Sequence, residues 1–263
     1  KYSDDNKIWH DKLFSESVLK NQSKTDKINI YFARANILHN EKNYQESSRY
    51  LKLANNIKLD IQPTKTDLII NKSKLLIIES DKTKVIKKEE KQKNFPESIF
   101  IVGMPRSGST LLESILSINN NVHDLGEVNI LEESFLRWKK IGQDLTLAEL
   151  YWKEVNDYIN ERKTTTNKWL YNYQYAGIIS NQIPNAKIIH CYRNPLDNIL
   201  SIYRAHFARK NEYSSSLIDC TNIYINHDKI MAAYKKRFRS KIYDLNYDWL
   251  VKNPSNQIKD LIS

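Results

Sequence analysis

The 263-residue sequence predicts an α/β fold: a parallel sheet with a phosphate-binding type of loop, preceded by a small all-helical, repeat-like region. Three observations predict it. Runs such as SIFIV (98–102) and AKIIHCY (186–192) are apolar enough for buried strands. They alternate with stretches of helical periodicity, which is the pattern of a parallel sheet flanked by helices. The first run leads directly into GMPRSGST (103–110), a glycine-containing turn that opens a helical stretch.

Residues 1–80 read as helical throughout, with no glycine before Gly103 and apolar residues at helical spacing. Residues 28–61 hold two helical stretches broken near 39–43, and Ala35, Tyr44, Leu51 and Ala54 supply small or aromatic side chains for close packing. This segment resembles one tetratricopeptide repeat. Lys42 stands where glycine usually makes the turn and Ser47 where alanine is usual, so a generic helical hairpin fits as well. A partial unit precedes it at 9–19, and 66–78 supplies a further helix. Residues 82–94 form a charge-rich connector closed by Pro96. The expected division is therefore a helical region with linker at 1–93 and an α/β domain at 94–263. In that domain strands are expected at 98–102, 187–192 and 241–247, with helices at 110–118, 128–140, 147–161, 171–181, 196–207, 224–238 and from Pro254.

The formal charge of +10 favours anionic partners, but much of the excess lies in 82–93, so nucleic acid gains no advantage over a phosphorylated nucleotide. The two cysteines, Cys191 and Cys220, have no metal-type spacing, which argues against a zinc site or a disulfide scaffold and for a reducing, cytoplasmic setting. No apolar stretch reaches the length of a membrane span, and no signal peptide is visible. The chain stops inside a helical pattern at Ser263 and reads as a fragment.

The loop at 103–110 is the sharpest signal. Free N–H groups and the dipole at a helix start make an anion site, and Gly108 lets the backbone approach a phosphate. The spacing Gly103-x4-Gly108 matches the start of the nucleoside-triphosphate loop, yet Ser109 stands where that loop carries its lysine. Arg106 supplies positive charge instead, and Ser107, Ser109 and Thr110 add donors that a plain turn does not need. A phosphorylated ligand without the usual triphosphate and magnesium arrangement is expected.

FIVGMPRSGSTLLE resembles the 5′-phosphosulfate loop of sulfotransferases that use 3′-phosphoadenosine 5′-phosphosulfate (PAPS). It looks closest to the tyrosylprotein type and to bacterial enzymes that join tetratricopeptide repeats to a sulfotransferase domain. The likeness covers about 100–262. It implies that Arg106, Ser107, Gly108, Ser109 and Thr110 bind the donor, and that Arg193 and Ser201 in AKIIHCYRNPLDNILSIYRAHF bind its 3′-phosphate. Asn194 replaces the family's aspartate and can make the same turn contacts. YDWLVKNP places Tyr247 near the nucleotide, though a core aromatic at a strand end is an equal reading. The family's basic, glycine-containing cover beyond that element is missing from this chain.

The resemblance also nominates catalytic residues. Glu127, in HDLGEVNIL, matches the family's general base, and Lys168, in TNKWL, matches the lysine that contacts the transferred sulfuryl group. Asn167 and Leu170 depart from the pattern around that lysine. A carboxylate complementing a helix start and a solvated lysine are the plainer readings of the two residues. His123 is held in reserve as base. Arg106 and Lys168 would stabilise charge on the sulfuryl oxygens and leaving phosphate, with no metal and with adenosine 3′,5′-bisphosphate as product. The acceptor stays open between peptide, saccharide and small molecule. Two other functions compete: a nucleotide kinase or NTPase, and a non-catalytic protein whose repeats bind a protein partner.

Overall fold

The computed structural model describes residues 4–83, 95–141, 145–159, 164–207 and 211–262. The chain forms two compact units, residues 1–66 with 199–222, and residues 67–198 with 223–263.

The first unit begins with α1 (Asp4–Phe14), a 3-10 turn (Glu16–Leu19), α2 (Lys24–Asn40) and α3 (Tyr44–Ile61). The α2–α3 pair is the expected helical hairpin. Ala35 and Ala54 are fully buried, so the two backbones approach closely. Ser47 fits the same seam because its hydroxyl donates to the Ala35 carbonyl at 2.7 Å. Lys42 takes φ 64°, the left-handed turn conformation that glycine adopts more cheaply. Arg34, 1% exposed, ties α1 down by donating to the carbonyls of Leu13 (2.9 Å) and Ser15 (3.0 Å). Residues 199–222 add a polar seam: Asn55 donates to the Tyr203 carbonyl, Lys58 to that of Phe207, and Thr64 and Thr66 both bond Asp219.

The second unit is built on a five-stranded parallel sheet in the order β2-β3-β1-β4-β5. The strands are β1 (Ser98–Gly103), β2 (Val122–Asp124), β3 (Thr164–Asn167), β4 (Ala186–Tyr192) and β5 (Ile242–Asn246). Both faces of the sheet are covered. Ile101, Ile189, Cys191 and Leu245 pack with Leu112 of α5 (Ser109–Leu116) and Leu250 of α11 (Tyr247–Lys252), beside α12 (Pro254–Ile262). Phe100, Val102 and Ile188 point the other way. They meet α4 (Thr66–Lys82), α6 (Ile130–Ile141), α7 (Leu147–Asn156), α8 (Ala176–Gln182) and α10 (Leu217–Arg237). That two-sided burial is why β1 and β4 read as continuous apolar runs. The remaining helix, α9 (Pro195–Arg204), follows β4.

Two strands were not expected from the sequence. β2 (VHD) and β3 (TTTN) are short and polar, so neither shows an apolar run. Their backbones are satisfied by each other and by β1, and Ser98 and Thr165 exchange a buried hydroxyl bond at 2.9 Å. The expected helix at 171–181 is split into a 3-10 segment (Leu170–Tyr175) and α8. Helix α10 begins at Leu217, seven residues before the expected 224. Residues 84–94 of the charged connector lie outside the described residues.

Candidate active site

Because all five strands run parallel, their C-terminal ends share one edge of the sheet. Each end carries a residue singled out from the sequence. β1 leads into the loop, β2 into Glu127, β3 into Lys168, β4 into Arg193 and β5 into Tyr247. Ligands of open α/β sheets bind at this edge for the same topological reason.

The loop holds two left-handed residues, Arg106 (φ 67°) and Gly108 (φ 92°). Arg106 is exposed, and a non-glycine residue in that region is strained. Gly108 caps α5, and a Cβ there would stand 2.0 Å from the Tyr247 ring. Glycine is therefore required twice, for the backbone angle and for the space taken by Tyr247. The Ser107 hydroxyl is buried and has no hydrogen-bond partner. Ser109 is buried at the first turn of α5, and Thr110 beside it is exposed. Asn198, buried near the start of α9, clamps the loop by donating to the Pro105 carbonyl at 2.9 Å.

Arg193 stands just beyond β4 with its guanidinium 5.0 Å from the centre of the Tyr247 ring. Its carboxylate neighbours, Asp197 at 3.8 Å and Asp248 at 4.0 Å, are outside hydrogen-bond range, and its Nε is buried and unpartnered. Tyr247 thus packs against both the loop and Arg193. Asn194 makes the turn contacts expected of it, accepting from the N–H groups of Leu196 and Asp197. Ser201 lies on the part of α9 that belongs to the first unit and is half-buried.

The β2–β3 pairing continues past the strands. Leu125 N–H bonds the Thr166 carbonyl and Lys168 N–H bonds the Gly126 carbonyl, each at 2.9 Å. Gly126, at φ 65°, turns the chain so that Glu127 meets Lys168. The Lys168 ammonium is 2.8 Å from Glu127 Oε1 and 3.5 Å from Glu113 Oε2. Lys168 is 5% exposed, so it is not the solvated lysine that its sequence also allowed. Glu127 is three residues ahead of α6, and its side chain is 63% exposed. Glu113, buried on α5, was not singled out from the sequence; burial pushes its carboxyl up, against the pull of Lys168. The signal for it was the one charged residue of α5, one helical turn after Ser109. His123 lies on β2, in register with Thr165.

Burial pushes the Cys191 and Cys220 thiols up to about 12, so neither supplies a thiolate nucleophile. No cluster of three or more His, Cys, Asp or Glu residues able to hold a metal occurs among the described residues. None of the described helices is long and apolar enough to cross a membrane. The unpartnered donors at Ser107 and Arg193, with the start of α5 between strands, fit an anion with several acceptor oxygens.

Residues 96–263 match the sulfotransferase family. The chain belongs to the sulfotransferase family. The chain is also similar to an uncharacterised protein from Aquifex aeolicus (strain VF5), 30% identical over 187 residues. That match takes in 62% of this chain and 25% of the relative, so the chain spans about a quarter of the relative's length. Among solved structures, sulfotransferase STF1 from Mycobacterium tuberculosis H37Rv aligns at TM-score 0.44 and 13% identity, over 88% of this chain and 87% of that one. Sulfotransferase STF9 from Mycobacterium avium aligns at 0.43 and 9%, over 66% and 65%. Shikimate kinase from Bacteroides thetaiotaomicron aligns at 0.41 and 13%, over 63% and 98%.

Proposed function

We propose that this sulfotransferase-family protein transfers a sulfuryl group from PAPS to a hydroxyl or amine acceptor. The observation that carries the reading is the Glu127–Lys168 pair, held at the same sheet edge as the phosphate-type loop. PAPS would supply the sulfuryl group, its 5′ end held by Arg106, Ser107, Gly108, Ser109 and Thr110 and its 3′-phosphate by Arg193.

Glu127 takes the acceptor's proton, which its exposed side chain can reach. Lys168 and Arg106 place positive charge where the leaving phosphate and sulfuryl oxygens gain negative charge. Tyr247 keeps the loop and Arg193 in fixed register. The burial of Lys168 supports this role, because a desolvated ammonium acts more strongly on a nearby anion.

The Gly126–Glu127 motif favours a relation to the tyrosylprotein-type enzymes, and the α2–α3 hairpin favours a tetratricopeptide-like surface for a protein partner. The acceptor lies within peptide, saccharide or small-molecule hydroxyls and amines. The test is transfer of label from PAPS to a mixed acceptor panel, beside calorimetry of adenosine 3′,5′-bisphosphate and adenosine monophosphate. The bisphosphate is expected to bind more tightly by about 2–3 kcal/mol, the worth of contacts to a charged phosphate. Equal affinities, or labelling from ATP with magnesium in place of PAPS, would overturn the reading.

A further inference from the structure

Lys168 is flanked by two carboxylates that differ in setting. Glu127 reaches it from the exposed turn after β2, with a side chain 63% exposed. Glu113 reaches it from inside, with a side chain 11% exposed. Glu113 sits one helical turn after Ser109 on α5, the helix that the phosphate-type loop opens. Its second oxygen, Oε1, is buried and has no hydrogen-bond partner. A buried carboxylate with one oxygen idle is not there for the stability of the fold: the ion pair is long, and burial opposes the charge. Lys168, Glu127 and Asp124 are the charged groups that act on it.

We propose that Glu113 is a positioning residue that holds the Lys168 ammonium from the buried side. The proposal rests on the sulfotransferase reading. Glu127 becomes neutral when it takes the acceptor's proton. Lys168 then loses its charged 2.8 Å partner. Glu113 is then the carboxylate that keeps the ammonium charged and registered to the loop helix. In the transfer itself the acceptor oxygen forms its bond to sulfur, and the bond from sulfur to the bridging phosphate oxygen breaks. The electron pair leaves with the phosphate, and the acceptor proton ends on Glu127. Glu113 takes no part in that exchange and acts only through Lys168.

Two measurements test this, and one does not depend on turnover. The first is acetylation of Lys168 by acetic anhydride, followed by peptide mass spectrometry of the full chain. With Glu127→Gln as background, adding Glu113→Gln is expected to speed acetylation of Lys168 by about tenfold, because the last carboxylate is gone. Equal rates overturn the proposal. The second is kinetics with PAPS and an accepted substrate. Glu113→Gln is expected to lower kcat by roughly tenfold to a hundredfold, the cost of a misplaced catalytic group. KM and adenosine 3′,5′-bisphosphate affinity should hold, and Glu113→Asp should recover much of kcat. A kcat close to wild type, or losses in Gln and Asp alike that track a fall in melting temperature, overturns it. If wild type transfers to no acceptor, the sulfotransferase reading fails, and the acetylation arms still judge Glu113.

Discussion

Two ionic clusters flank the sheet of this sulfotransferase-family protein, and their carboxylates are paired in opposite ways. At the C-terminal edge, Glu113 and Glu127 share Lys168, and a Glu113 oxygen is left without a partner. Between β4, β5 and α10, Asp244 is partly buried and paired on both oxygens. It accepts from Lys235 at 2.6 Å and Arg239 at 2.8 Å, and it pairs with His190 at 3.2 Å. His190 in turn meets His227 at 3.2 Å, with both rings fully buried and the His227 Nδ1 without a hydrogen-bond partner. The consequences have opposite signs. Its hydrogen bonds and cations hold Asp244 well below the usual carboxylate range, although burial works against them. Burial pushes Glu113 up, because a single long pair does not offset it. A carboxylate paired on both oxygens fastens elements together. An unsaturated one at a sheet edge is a place where charge is held ready for a ligand.

The sharpest way to break this comparison is Glu127→Gln. Turnover is expected to fall by roughly 10²–10⁴-fold, the usual contribution of a positioned base. The melting temperature is expected to fall modestly, because Glu127 is exposed but the Lys168 it leaves behind is buried and keeps only the longer pair with Glu113. Near-normal turnover would return Glu127 to the role of a carboxylate near a helix start. In that case His123→Ala, assayed beside it, becomes the variant expected to be inactive.

Asp244→Asn should behave in the reverse manner. Losing charged hydrogen bonds to Lys235 and Arg239 is expected to cost about 2 kcal/mol of stability, read by denaturant melts. Turnover at a permissive temperature should stay near wild type. A variant that melts normally but loses activity would place the Asp244 cluster in the chemistry.

The smallest effect is a slope with pH. Burial lowers His190 and, more strongly, His227, so both stay neutral in the folded chain while unfolded imidazoles take up protons. Stability is therefore level above about pH 6.5 and falls as the pH drops below it. Glu113 tilts the other way. Its folded carboxyl is raised, so its contribution favours the fold at low pH and is lost as pH rises through the folded value. Melting between pH 7.5 and pH 5 should fall less steeply in His227→Gln than in wild type. At pH 7, Glu113→Gln should melt at or above wild type.

Much of this molecule was legible because its signals are local. The strand–loop–helix around GMPRSGST, the runs that became β1 and β4, and the hairpin seam at Ala35, Ser47 and Ala54 all depend on residues close in the chain. Residue types at the candidate site, Arg106, Glu127, Lys168, Arg193 and Tyr247, were also readable, since each follows an element end and falls in a recognisable motif. β2 and β3 were not, because VHD and TTTN become strands only through the neighbours that take up their N–H and C=O groups. Glu113 and the His190–His227 pair were hidden for a related reason. Their partners lie 55 residues away at Lys168 and 37 away at His227, and the sequence does not state which distant residue will close on a buried charge. The sequence by itself determined the periods, the loop and the chemistry present. Only the tertiary structure decided which charges are saturated, because desolvation and pairing are properties of the packed chain.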